Sequence, residues 1–283
     1  MRIAKYQIIR LQKPELRSNC LIMFDSFIMD VKYDISKDNE KFIIFINDFY
    51  HNKEDYDNYY NYFKKQSYNV LSFDWRYSHN VKYKKGMSLG NYLEDLITII
   101  NLILENYPNQ KIYLLGHGLG ANLIINLNKK VNIKGIILLN PISRTNFIDF
   151  DWKTRFLSYY GIIFNRNIKL PVILDSQIIS NNKDYQQKMK AYFEDKPLLL
   201  WYKLQMISII RKSNWKIKQK SSNKLCLQIK NPIFSNRRKI DTLKKHIKLQ
   251  IINDSHDLLW SQHFMEYSQL IDEWIQKNDK EKK

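Results

Sequence analysis

The sequence predicts an α/β fold in which helices cover both faces of a mostly parallel sheet. Two observations favour this class: short apolar runs alternate with longer segments of helical periodicity, and Pro, Asn or Gly mark the ends of the runs. A third observation is that residues 116–120 read Gly-His-Gly-Leu-Gly and hold three of the seven glycines in the chain. Glycines at this spacing, between an apolar run and a helical run, indicate a tight strand-to-helix turn.

The apolar runs that we predict as strands end at polar or helix-breaking residues. In chain order they cover 41–46, 69–76, 111–115, 136–139, 224–229 and the first residues of 249–259. Asn140-Pro141 terminates the fourth of these runs. Runs this short do not distinguish a buried strand from a buried helix by periodicity, so the assignment depends on their order and on the residues between them.

Helical periodicity appears between these runs and again at the end of the chain. The clearest helix begins near Ser88, has apolar residues three or four positions apart, and ends before Pro108. Further helices are predicted over 56–65 and 121–127, and an amphipathic helix over 261–276 closes the chain.

The turn at 116–120 has the spacing of a nucleophile elbow, G-x-S-x-G, in which a serine sits on a strained corner between strand and helix. Gly116 and Gly120 occupy the two flanking positions, where glycine lets strand and helix pack closely. Gly118 stands where the serine would be, and glycine adopts the dihedral angles of such a corner without steric cost. A glycine-rich turn of another α/β fold is the alternative.

With its order of elements, the chain resembles the α/β-hydrolase fold, and within it the bacterial lysophospholipase and monoacylglycerol lipase branch. The resemblance covers nearly the whole chain and includes the Asp74-Trp-Arg76 ending of the second predicted strand. It implies an eight-stranded-type sheet and an inserted helical cap, since 179–198 is similar to the cap of those lipases. We therefore expect a core made of 1–143 and 222–283, with a cap over 144–221.

The same resemblance identifies the remnants of a catalytic triad. His256, late in the chain and just past a strand, matches the histidine in the fold's order of serine, acid and histidine. The acid is expected after 224–229, where this chain has Asn231 and no carboxylate before Asp241. We expect Asp241 to be a solvated charge on a surface helix. An acid at that place would fix the imidazole tautomer, so its loss weakens any base function.

The oxyanion loop also departs from the family pattern. Relatives carry a His-Gly pair after the first of the predicted strands, whereas this chain has Asn47-Asp48, and Leu119 follows the nucleophile position. A carboxylate there opposes the negative charge that catalysis must stabilise. The Gly-rich stretch that follows Asp-x-Arg in relatives is 77–81, Tyr-Ser-His-Asn-Val. Serine, acid and oxyanion loop have changed together, which indicates natural loss of function.

For the other candidate nucleophiles and metal ligands, the sequence favours a structural role. Cys226 lies among leucines in a strand, and we expect it and Cys20 to be inert buried thiols. Ser143 lies near the mouth of the sheet without an adjacent base, and His117 is treated as structural. The remaining histidines sit singly in polar contexts and predict no metal site: His51, His79, His246 and His263. No cofactor is expected.

Positive charge concentrates in one part of the chain. Residues 196–248 hold fifteen Lys or Arg and one acidic residue, so they contribute +14 of the net charge of +18. Interleaved Trp201, Tyr202 and Trp215 add apolar groups, and the segment predicts peripheral contact with an anionic membrane. The alternative is compositional bias, because 36 lysines stand against 10 arginines. Nucleic acid is not expected as a partner, since no recognition module accompanies the charge.

The remaining features of the sequence concern the cellular location of the protein. The longest apolar runs fall short of the roughly eighteen residues of a membrane helix, and the N-terminus lacks the apolar core of a signal peptide. Two cysteines imply no disulfide framework. We expect a cytoplasmic protein that contacts the inner membrane face peripherally.

Three functions follow from these patterns. The first is a non-catalytic hydrolase-fold protein that binds a lysolipid, an acyl ligand or a protein partner. The second is an active lipid ester hydrolase of the carboxylesterase or lysophospholipase kind, acting through His256 and an unconventional nucleophile. The third is a basic adaptor at the membrane surface.

Overall fold

A nine-stranded sheet forms the centre of the protein. The computed structural model describes the following residues: 14–17, 20–23, 25, 27–48, 51–75, 89–127, 131–143, 156, 180, 182–187, 213, 215, 217, 223–230, 236–254 and 257–280. The strands within them are β1 (Glu15–Arg17), β2 (Cys20–Ile22), β3 (Ile28–Asp34), β4 (Lys41–Ile46), β5 (Asn69–Phe73), β6 (Lys111–His117), β7 (Gly135–Leu139), β8 (Asn223–Ile229) and β9 (Lys248–Ile252).

The strand order is β1-β2-β3-β5-β4-β6-β7-β8-β9. Every pair from β5 to β9 is parallel, and only the β1–β2–β3–β5 edge is antiparallel. This confirms the predicted fold class, a mostly parallel sheet of the α/β-hydrolase type. The described residues hold nine strands, one more than the expected eight, and the two at the antiparallel edge, β1 and β2, have only three residues each.

Helices cover both faces of the sheet, as the alternating pattern predicts. The described helices are α1 (Asp57–Lys65), α2 (Leu89–Asn106), α3 (Leu119–Ile125), α4 (Arg237–Lys244) and α5 (Phe264–Lys280). Buried residues of α2, α3 and α4 belong to one apolar cluster, and those of α1 and α5 to a second on the other face. The buried strands β4, β5, β6 and β7 lie between the clusters, which is why they are apolar without alternation.

Most predicted elements agree with the structure to within a few residues. Strand β4 has the predicted bounds, whereas β5 ends at Phe73, three residues before the predicted end. Strand β6 runs two residues further than predicted, to His117. Helix α3 begins earlier, at Leu119, so the turn between strand and helix contains Gly118 alone.

The predicted cap lies largely outside the described residues, and the division of the chain at 144–221 remains a prediction. Ser213 makes one of the described contacts between the two parts. Ser213 Oγ accepts hydrogen bonds from the side-chain amides of Asn122, on α3, and of Asn126, the C-cap of that helix, each at 3.0 Å. All three side chains are buried, so the hydrogen bonds satisfy polar groups that burial would otherwise leave costly.

Hydropathy gives no spanning segment within the part of the chain that the structure describes: none of its helices is long and apolar enough to cross a membrane.

Glycine at the start of α3 is required by a close approach of backbone to backbone. A Cβ built on Gly120 would lie 2.0 Å from the carbonyl oxygen of Ile46 at the end of β4. A Cβ on Gly116 would lie 2.7 Å from the backbone nitrogen of Ala121. Backbone atoms cannot rotate away as a side chain can, so these glycines hold α3 against the sheet at a distance that no other residue allows.

The contact at Gly120 predicts a large loss of stability for Gly120→Ala. The added methyl must push α3 away from β4, and we expect the free energy of unfolding to fall by about 3 kcal/mol. Gly90, which is exposed near the start of α2, is the matched control. There alanine should raise the free energy of unfolding by about 0.5 kcal/mol, through better helix propensity. Urea unfolding of both variants measures the difference, and equal effects would contradict the packing argument.

Candidate active site

The functional site predicted from the sequence lies at the carboxyl edge of the parallel strands. Asn47 and Asp48 follow β4, Gly118 follows β6, and Asp257 lies in the segment after β9. Because β4 and β6 are neighbouring parallel strands, their carboxyl ends meet at the same edge of the sheet. This is the edge at which open α/β sheets bind ligands.

Gly118 forms the corner between β6 and α3. Its φ is 53° and its ψ is −117°, a conformation that side chains disfavour and glycine adopts freely. Its backbone N–H donates to the carbonyl oxygen of Leu139 at the end of β7, at 2.9 Å. The corner therefore has the backbone form of the strained turn that the glycine spacing predicts, with no side chain on it.

The carboxylate of Asp48 fills the space above this corner. A Cβ built on Gly118 would lie 1.8 Å from Asp48 Oδ2 and 2.8 Å from its Cγ. Asp48 is fully buried, and its backbone carbonyl oxygen accepts a hydrogen bond from the N–H of His51 at 3.1 Å. Asp48 thus occupies the place where the side chain of a nucleophile at position 118 would begin.

Asn47 links β4 to β5. Its side-chain amide donates to the carbonyl oxygen of Phe73 at 2.9 Å, and its own carbonyl oxygen accepts from Trp75 Nε1 at 3.0 Å. Both contacts are buried. The side chain of Asn47 is therefore directed at the neighbouring strand, which gives it a structural part in the loop where relatives stabilise an oxyanion. Leu119, the third predicted oxyanion position, is buried at the start of α3.

A buried ion-pair cluster, which the sequence analysis did not predict, adjoins the corner. His51 lies between two carboxylates, with Nε2 3.0 Å from Asp257 Oδ2 and Nδ1 3.4 Å from Asp55 Oδ2. His117 approaches the other oxygen of Asp257, with Nε2 4.0 Å from Oδ1. The expectation that His51 sits singly in a polar context was wrong, because it is buried and ion-paired.

Burial and charge act in opposite directions on this cluster. Burial disfavours a charged imidazole, but the charge of Asp257 and the hydrogen bonds to Asp257 and Asp55 outweigh it and raise the pKa of His51 to about 10. Burial likewise disfavours an ionised Asp257, but the neighbouring His51 lowers the pKa of that carboxyl below its ordinary value. With both ring nitrogens directed at carboxylates, His51 is suited to holding charge and poorly placed to accept a proton from a substrate.

A tyrosine from the predicted cap lies over the cluster. The Tyr185 hydroxyl is 3.5 Å from His51 Nε2, and its ring stacks on that of His51 with centroids 6.1 Å apart. The Tyr185 ring also stacks on that of Trp260, with centroids 5.0 Å apart. The phenol therefore joins the predicted cap to the loop before α5.

The remaining predicted site residues lie apart from the corner or outside the described residues. His256 and Asn231 fall outside the described residues, so their part in the site remains a prediction. Ser143 is buried, and its hydroxyl accepts a hydrogen bond from the backbone of Asn236. The carbonyl oxygen of Ser143 accepts from Lys239 Nζ at 3.2 Å.

The cysteines and Asp241 can be compared directly with expectation. Cys226 is buried in β8, and burial raises its thiol pKa, so it is the inert core residue that its neighbours predict. Cys20 differs, because it lies on the edge hairpin and is partly exposed. Asp241 is exposed on α4, as predicted.

Sequence comparison identifies a family. The profile of the family described as serine aminopeptidase, S33, matches residues 37–199 of the chain, which is more than half of its length. No curated protein sequence matches the chain.

Structural comparison finds several α/β-hydrolase neighbours. A soluble variant of monoglyceride lipase from Saccharomyces cerevisiae aligns with a TM-score of 0.72 at 13% identity, covering 98% of each chain. Monoacylglycerol lipase from Paleococcus ferrophilus aligns with a TM-score of 0.66 at 16% identity, covering 88% of this chain and 99% of its own. MenH from S. aureus gives a TM-score of 0.62 at 17% identity, over 88% and 98%. At these identities the likeness shows a shared fold.

Asp74, at the same edge of the sheet, has a titration that can be measured. Its carboxylate accepts from the backbone N–H of Lys53 at 2.8 Å and lies 3.4 Å from Lys53 Nζ. Burial raises the pKa of Asp74, the contacts with Lys53 lower it, and the charge of Glu54 raises it. The net result is a pKa raised from 3.8 to about 6. The folded state therefore holds this proton more tightly than the unfolded state does.

The raised pKa of Asp74 predicts that its ionisation weakens the fold as pH rises. The contribution is most favourable below 3.8, declines between 3.8 and about 6, and is constant above that. We expect the wild type to lose about 2 kcal/mol relative to Asp74→Asn across this window. Urea unfolding of both proteins near pH 4 and near pH 7 measures it. A difference independent of pH would show that Asp74 is not the titrating group.

Proposed function

The chain belongs to the serine aminopeptidase S33 family, and on that premise we propose that it is a non-catalytic α/β hydrolase that binds a lysolipid or acyl ligand. One observation carries the proposal: the carboxylate of Asp48 stands where the side chain of a nucleophile at position 118 would begin. Covalent catalysis in this fold requires a hydroxyl at that corner. Here the corner carries no side chain, and an anionic group fills the space.

Electrostatics supports the same conclusion. The tetrahedral intermediate of ester hydrolysis carries a negative charge, which active enzymes stabilise with N–H donors aimed at the developing oxyanion. Asp48 is buried beside this corner. Burial, and after it the nearby carboxylate of Asp48, raises the pKa of the Tyr56 phenol. A buried carboxylate at that place destabilises the intermediate that hydrolysis must form.

The ligand class in the proposal rests on similarity of fold. Two of the structural neighbours are described as monoglyceride or monoacylglycerol lipases, and those proteins share the arrangement of sheet and helices described here. A chain that keeps this scaffold and lacks the nucleophile is suited to holding an acyl ester without cleaving it. The ligand is therefore proposed to be a lipid with a single acyl chain.

The proposal predicts that serine at position 118 does not create an esterase. Gly118→Ser alone should be destabilised by about 2 kcal/mol, because its φ is unfavourable for serine and Asp48 obstructs its side chain. Adding Asp48→Gly should recover part of that loss. Neither variant should hydrolyse a monoacylglycerol or react with a fluorophosphonate probe. The wild type should bind a pyrene-labelled monoacylglycerol, and that binding should saturate.

Gly90→Ser is the control for these measurements, since it adds a serine to an exposed helix and leaves the corner unchanged. Covalent labelling or ester turnover by both the wild type and Gly90→Ser, above a blank without protein, would contradict the non-catalytic proposal. It would favour the active hydrolase with an unconventional nucleophile, and peptide mapping of the labelled residue would identify that nucleophile. Unsaturable uptake of the fluorescent lipid would contradict the ligand class.

A membrane-surface function has its own support in the charges of the described residues. Exposed basic side chains follow one another at the end of α4 and at the start of β9, at Lys244, Lys245 and Lys248. We propose as a second candidate that this surface attracts an anionic bilayer.

Charge reversal on α4 should weaken binding to anionic vesicles. Lys244→Glu/Lys245→Glu is expected to lower binding to phosphatidylglycerol-containing vesicles by at least about tenfold at low salt, and added salt should weaken wild-type binding. The matched control is Lys277→Glu/Lys280→Glu, which changes the same charge on exposed positions of α5, against the other face of the sheet. Sedimentation with vesicles measures both, and equal loss in the two variants would mean that net charge, not this surface, governs binding.

A further inference from the structure

Three segments that are distant in the chain place metal-binding atoms together. His51 comes from the loop after β4, His117 from the last position of β6, and Asp257 from the segment between β9 and α5. One ligand atom from each of the three lies within 4.8 Å of the others. All three side chains are fully buried, and the imidazole rings meet edge to face with centroids 5.6 Å apart.

The balance of charge at this place favours a dication. Asp48, Asp55 and Asp257 are buried carboxylates in the same region, and each needs nearby positive charge to remain ionised away from water. Two protonated imidazoles could supply it, but two cations in neighbouring rings repel each other. A single divalent ion bound to neutral imidazoles supplies the same charge without that repulsion.

We propose that His51, His117 and Asp257 form a buried structural site for a divalent cation, best matched by Zn²⁺. Two imidazole nitrogens and a carboxylate are ligands that zinc prefers. Ligand atoms around a tetrahedral zinc lie about 3.4 Å apart. Here His51 Nε2 is 3.0 Å from Asp257 Oδ2, and His117 Nε2 is 4.0 Å from Asp257 Oδ1. With one ligand atom taken from each residue, all three lie within 4.8 Å of one another, so shifts of roughly 1.4 Å or less complete the geometry.

Two neighbouring groups complete the site. Asp55 lies 3.4 Å from His51 Nδ1, the nitrogen that faces away from the other ligands, which is the position of the carboxylate that orients a metal-bound histidine. The Tyr185 hydroxyl, 3.5 Å from His51 Nε2, is placed to provide the fourth oxygen. The ion would thus join the loops after β4 and β9 to the predicted cap, which makes its function structural.

Metal content and metal spectroscopy test the site on the whole chain without a histidine tag. The wild type should contain stoichiometric zinc by mass spectrometry, and after chelation Co²⁺ should restore the visible absorption of a tetrahedral site. His117→Asn and His51→Asn should lose that absorption. Asp55→Asn keeps the three ligands and should weaken affinity by about 10-fold to 100-fold. His263→Asn is the matched control, since this exposed histidine lies outside the cluster.

Chelation of the wild type keeps the test informative if a ligand variant fails to fold. Removing the ion should lower the melting temperature, and Zn²⁺, but not Mg²⁺, should restore it. A wild type without zinc and without a Co²⁺ spectrum would overturn the proposal. Undiminished metal binding in a folded His117→Asn variant would also overturn the proposal. Loss of metal binding in His263→Asn would do the same, because it would locate the ion on the surface. These outcomes do not depend on whether the protein hydrolyses esters.

Discussion

The close packing of α3 against the end of β4 is the constraint on which the site depends. With glycine at position 120, the first turn of the helix approaches the carbonyl oxygen of Ile46. The next two residues after Ile46, Asn47 and Asp48, are thereby brought against the corner at Gly118. The pairing of β4 with β6 holds His117, the last residue of β6, next to the loop that carries His51. A wider helix-to-strand distance would draw Gly118 away from Asp48.

The fold could be predicted from the sequence because its signals are local. Residues 41–46 form an apolar run whose neighbours on both sides are strands, so composition alone gives the bounds of β4. Gly116 and Gly120 indicate a tight turn, because a residue with a side chain does not fit at either position. Strands β1 and β2 gave no such signal, since three residues at an edge carry too little pattern to distinguish from a loop.

The ion-pair cluster could not be predicted in the same way. His51, His117 and Asp257 are separated by long stretches of chain, and no local pattern records that their side chains meet. A weak local signal exists at Asp257, whose carboxylate caps the short helix over Leu258–Trp260 by accepting from the N–H of Leu259. Asp48 is partly predictable. The sequence shows a carboxylate in the loop after β4, but its position against Gly118 follows only from the packing of the helix.

The contact between Asp48 and Gly118 also has an evolutionary consequence. A serine at position 118 would meet a buried carboxylate, in a backbone geometry that already disfavours its side chain. Such a variant would lose stability before a hydroxyl brought any benefit. Serine at position 118 thus requires prior replacement of Asp48, and the two positions can change only in that order.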